Sequence, residues 1–98
     1  MVRKITWTPS ARQSRLGIFI YWNNRNKSKL YSQKLNAEYK KALQKVSKIP
    51  EIGIETNNKN VRLILVTHFE IIYLISETEI KVLDIWDTRQ NPENHPIK

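Results

Sequence analysis

The chain has no cysteine, only two glycines and four prolines in 98 residues, and its first fifty residues hold a single acidic side chain, Glu38. Each scarcity removes a class of function. Without cysteine there is no disulfide framework, thiolate metal site or sulfur nucleophile. With Gly17 and Gly53 far apart, no glycine-rich loop can cradle a phosphate. No apolar run approaches the roughly 20 residues that span a bilayer. The start, Met1 to Ile5, carries the charge of a signal-peptide head without the apolar segment that should follow. A cytoplasmic protein with no membrane partner is the expectation.

What is present is positive charge, unevenly placed. Residues 1–50 carry twelve Lys or Arg against one acid, a balance of +11, whereas residues 51–98 carry five against eight, a balance of −3. One half of the molecule therefore holds the positive field behind the net +8, which fits a polyanionic partner, either nucleic acid or an acidic protein. A lysine-coated, solvated helical face accounts for the same charge.

The chain length fits one domain with a thin core, expected over residues 1–92 with a loosely ordered polar tail over 93–98. Arg3 to Trp7 reads as a short strand. Thr8 and Pro9 then supply an N-cap and the residue preferred at the first helical position. Ala11, Leu16, Phe19, Ile20 and Trp22 recur at helical spacing to about Arg25, although Gly17, Ile18 and Tyr21 blur the stripe. A second helix is clearer: Tyr31, Leu35, Tyr39, Ala42 and Val46 follow steps of three and four while Lys34, Lys41, Lys45 and Lys48 point elsewhere. Pro50 ends it. Strands follow around Ile52 and Ile54, over Val61 to Val66, Phe69 to Ile75 and Ile80 to Trp86, the last three as an antiparallel meander apolar enough to suggest burial on both faces. The fold class is α+β, with an N-terminal strand and an antiparallel helical hairpin packed on a small, mainly antiparallel twisted sheet.

Two strand-mounted guanidiniums, Arg62 and Arg89, suit phosphate because arginine is always charged and presents a planar fork of donors. The competing reading pairs them with Asp84 or Asp87. His68 and His95 are candidates for proton transfer, being the side chains that titrate near neutrality, and equally fit a solvated turn and tail. They make only a weak metal case, and no metal or cofactor is expected. Tyr73 suits the core. Trp86, near Arg89, suits either base stacking or the core, and Trp7 and Trp22 suit a core or a partner interface.

These pieces in this order resemble the RelE/ParE superfamily of bacterial type II toxins: the strand ending in Trp7, Thr8 and Pro9, the helical hairpin, and Ile49 and Pro50 with Gly53 close behind. Val61, Arg62 and Leu63, then Ile72 and Tyr73, then Asp87 to Pro92 continue the match over nearly the whole chain. The resemblance implies a growth-inhibiting toxin held silent by a cognate antitoxin, whose extended acidic segment would wrap it as a hetero-oligomer. Trp22, Tyr31 and Tyr39 would receive that partner. It implies one of two targets. RelE-like members cut mRNA on the ribosome, for which Arg62 and Arg89 would stabilise the scissile phosphate and His95 or His68 would transfer a proton. Arg12, Arg15, Lys41, Lys45, Trp86 and Asn91 would contact nucleic acid or target. ParE-like members poison DNA gyrase without such a constellation. Here the strand after Arg62 is apolar, and Glu70 stands where many RNA-cutting members place an arginine. The expectation is ribosome-dependent mRNA cleavage, with the gyrase poison as the alternative.

Overall fold

The computed structural model describes residues 2–90 together with Glu93 and His95. The chain runs β1 (Lys4–Trp7), α1 (Pro9–Asn26), α2 (Leu30–Lys48), a short 3-10 turn (Pro50–Ile52), β2 (Ile54–Glu55), β3 (Val61–Val66), β4 (Phe69–Ile75) and β5 (Glu79–Asp87). The sheet order is β1-β5-β4-β3-β2. β1 runs parallel to β5, and the other three pairings are antiparallel.

The expected α+β class and helical hairpin are therefore what the chain forms, and their causes are local. The Thr8 hydroxyl oxygen accepts from the Ala11 N–H at 3.2 Å and lies 2.9 Å from the Val82 carbonyl, so one cap starts α1 and ties it to β5. Lys27 closes α1 in the left-handed region at φ 52°, with its N–H on the Asn23 carbonyl. Leu35, Tyr39, Leu43 and Val46 lay one face of α2 on the sheet, against Ile71, Tyr73, Val82 and Ile85. Tyr73 is core as expected: its hydroxyl donates to the Pro50 carbonyl at 2.7 Å and accepts from the Gly53 N–H at 3.1 Å.

Burial on both sheet faces is realised only in part. The face away from the helices has its own cluster of Val61, Leu63 and Ile72 with Leu74, Leu83 and Trp86. Neither α1 nor α2 covers it, and Ile54 and Leu65 on that side remain exposed. Near its middle the β4–β5 ladder slips: Ile72 faces Asp84 but Tyr73 faces Val82, which leaves Leu83 without a register partner. Such a bulge re-aims a side chain. Here Asp84 accepts a 2.6 Å hydrogen bond from the Ser14 hydroxyl on α1 and another from the Ile85 N–H.

Candidate target-binding cleft

The two arginines singled out in the sequence do not share a site. Arg62 sits near the start of β3, where its guanidinium donates to the carbonyls of Glu51 (3.1 Å) and Gly53 (2.8 Å) and pairs with Glu55. It staples the 3-10 turn and β2 onto β3, and its donors serve the fold. Arg89 lies just past β5, beside the opposite end of β3, because Thr88 donates to the His68 carbonyl. From Arg62 to Val66 alone the strand advances about 13 Å. A two-arginine clamp is thereby replaced by one structural arginine and one surface arginine.

Arg89 is half-exposed and pairs with Asp87 at 2.9 Å. The Arg89 hydrogen bond holds the Asp87 carboxyl below its usual range, partly opposed by desolvation, and Asp87 in turn raises the guanidinium's affinity for its proton. The Arg89 guanidinium also lies 5.6 Å from the Trp22 ring centre, with Arg25 at 5.9 Å. Tyr21, Tyr31 and His68 surround the same indole at 5.2, 4.9 and 6.4 Å. The end of the molecule where β5 stops is thus a cation–aromatic cluster.

The histidines part company. His68 joins that cluster, its ring against Phe69 and its buried Nε2 without a hydrogen-bond partner among the described residues. His95 is on the other face of the sheet. It is 6% exposed, its Nε2 lies 2.8 Å from Glu70 and its ring packs edge-on against Trp86 at 5.2 Å. Glu70 therefore serves as a histidine partner on the face away from the helices, and Trp86 is a packed aromatic there that also reaches a cleft at the β5 end.

The remaining candidates divide similarly. Tyr39 is fully buried, with its phenol pushed up by desolvation, so it supports the core and offers no surface to an antitoxin. Trp22 and Tyr31 keep partial exposure. Arg15 is occupied on Trp7, 4.2 Å from the ring centre, while Arg12 is exposed and shares an interhelical groove with Lys40. Lys41 and Lys45 are exposed on the outside of α2. Asn91 lies outside the described residues, as do Asn94 and Pro96 to Lys98 of the expected tail.

A cleft of about 570 Å³ lies between α1 and the second half of β5. β1 stops opposite Val82, so among the described residues β5 from Leu83 onward has no strand beside it on that side. Ser14, Gly17, Ile18 and Tyr21 form one wall, Asp84 to Asp87 the other, and Trp22 and Arg89 close the end. Gly17 holds the wall low: a Cβ placed there meets nothing within 4 Å. Sequence reasoning missed this wall, yet its signal was present. Ser14, Gly17, Ile18 and Tyr21 follow steps of three, one and three, a second helical face beside the buried one. Among the described residues no group of three or more His, Asp or Glu could hold a metal ion.

Residues 5–92 match the family model described as the ParE toxin of type II toxin-antitoxin system, parDE. The chain belongs to the ParE toxin family. Its fold is also that of a solved chain from the chromosomal ParDE TA system from P. aeruginosa, with a TM-score of 0.73 over 90% of this chain and 98% of that one, at 14% identity. No curated protein matches the sequence. This ParE-family chain is thus a type II toxin, with a cognate antitoxin as its counterpart. No helix among its described residues is long and apolar enough to cross a membrane.

Proposed function

We propose that this toxin arrests growth by binding DNA gyrase through the α1–β5 cleft, with no bond-breaking chemistry of its own. The observation that carries this reading is that Arg62 and His95, two of the four groups expected to serve RNA cleavage, are taken up elsewhere in the fold. Attack by a ribose 2′-hydroxyl requires a proton-transfer group and a phosphate-stabilising cation within reach of one phosphate. Arg62 is spent on backbone carbonyls, and His95 is buried on Glu70 across the sheet. The cleft, by contrast, offers Ile18, Tyr21 and Trp22 as anchors around a low glycine wall, with Arg89 and Asp87 at its end. That mixture of aromatic anchors and a polar rim suits a protein partner.

Trp22, which closes the end of the cleft, and the neighbouring Tyr31 serve as anchors for the antitoxin, which then competes with the target for one surface. Purified toxin added to gyrase and plasmid is expected to stabilise cleaved DNA, and Gly17→Trp, which fills the cleft from a solvent-facing helix position, to abolish the effect. Normal supercoiling with excess toxin contradicts the proposal. One observation favours mRNA cleavage as the second reading: His68 and Arg89 both flank Trp22. It requires new mRNA ends after induction, lost in both His68→Ala and Arg89→Ala.

A further inference from the structure

α2 carries a cationic surface that neither the cleft nor the hairpin core uses. Lys34, Lys41, Lys45 and Lys48 are all exposed. At 100° per residue they fall within an arc of about 60°, nearly opposite the buried face of Leu35, Tyr39, Leu43 and Val46, and they span about 21 Å along the axis. Among the described residues none of the four takes part in an ion pair: the pairs involve Arg62, Lys81, Arg89 and His95. The one acid of the hairpin, Glu38, sits at the margin of this arc. Four cations are thus held in line on a rigid helix, with Glu38 at their margin and no ion pair to any of them among the described residues.

We infer that this stripe is a docking surface for the phosphate backbone of duplex DNA. Its composition decides between the two polyanions. Ala37 and Gln44 flank the lysines, and the stripe has no aromatic or aliphatic anchor within its span. A protein segment that folds on docking needs apolar burial to offset its ordering entropy; the exposed Leu30 and Ile49 stand singly beyond the two ends of the stripe, whereas Leu16, Ile20 and Tyr21 lie close together on α1. A phosphate ladder asks only for spaced cations, and releases its condensed counterions on contact. Because duplex DNA carries about one charge per 1.7 Å of axis, a 21 Å stripe faces enough phosphates for every lysine to find one. This surface is separate from the cleft and does not depend on gyrase being the target.

The test is anisotropy of a labelled duplex of about 20 base pairs and arbitrary sequence, titrated with free toxin across a salt series. Wild type is expected to give a slope of log K against log salt of roughly −3 to −4, one unit per lysine contact. The quadruple variant Lys34→Gln, Lys41→Gln, Lys45→Gln, Lys48→Gln is expected to lose about three units of slope and at least about tenfold in affinity at low salt. Glutamine preserves helix propensity, and circular dichroism checks the fold. A second quadruple, Lys4→Gln, Lys27→Gln, Lys29→Gln, Lys59→Gln, removes the same net charge from other exposed sites and is expected to retain most of the binding. Equal losses in the two variants would assign the effect to bulk charge and overturn the inference. So would a stripe variant that keeps DNA binding but no longer forms its complex with the antitoxin, which would give the stripe to a protein partner.

Discussion

Gly17 and Gly53, the two glycines of the chain, do opposite work. At Gly53 an added Cβ would overlap the Tyr73 hydroxyl and come within 2.7 Å of the Leu63 carbonyl oxygen, in a segment where Tyr73 and Arg62 both bond the local backbone. Gly53→Ala is therefore expected to destabilise by about 1–3 kcal/mol, the range for overpacking, read as a lower urea midpoint. At Gly17 the Cβ meets open space within a helix, so Gly17→Ala is expected to stabilise by about 0.5–1 kcal/mol through helix propensity alone. Asp87 supplies the residue-scale pH dependence. Its folded pKa is depressed, chiefly by Arg89, so its contribution is fully present above the unfolded value of about 3.9 and is lost as pH falls through the folded one. Denaturation curves below about pH 4 should show the wild type losing more stability on acidification than Arg89→Gln, in which Asp87 titrates nearer its unfolded value.

At the scale of elements, much was legible because local chemistry and tertiary packing agree. Thr8 and Pro9 mark the start of α1, Pro50 the end of α2, and the four-residue steps of Leu35, Tyr39 and their neighbours mark the buried face of α2. α1 was harder to read, since it serves two surfaces. Ala11 and Phe19 face the core while Ser14, Gly17, Ile18 and Tyr21 face the cleft, and the two stripes overlap in a one-dimensional pattern. The arginines misled for a related reason: strand position shows that a guanidinium is held rigidly, and not whether its partners are carbonyls or an incoming anion. The Arg62 contacts arise from chain returning near Gly53, and the His95–Glu70 pair from His95 lying against a strand 25 residues earlier in the chain. Neither is visible in local sequence. Gly17→Trp tests the cleft at this scale. It is expected to leave the thermal midpoint within a few degrees of wild type while removing toxicity in induced cells. A large drop in the midpoint would show that Gly17 is needed for folding and that the wall is not free surface.

For the molecule as a whole, the charge division seen in the sequence becomes a division of labour. The hairpin collects the positive field, with the α2 stripe facing away from the sheet, whereas the sheet half carries the acids that pair locally with Arg62, Arg89 and His95. The chain has the ParE family's fold, and its chemistry-bearing residues are spread over both sheet faces and both ends of β3. On the reading proposed above, such a surface binds its target without cutting it. The most direct test of that claim follows both lesions in one experiment: purified toxin is incubated with gyrase and plasmid DNA, and RNA from induced cells is mapped for new ends. Stabilised gyrase–DNA cleavage complexes that disappear with Gly17→Trp, and unchanged mRNA ends, are the outcome expected of a gyrase-binding toxin. New mRNA ends that vanish with His68→Ala, together with unimpaired gyrase supercoiling at excess toxin, would contradict it.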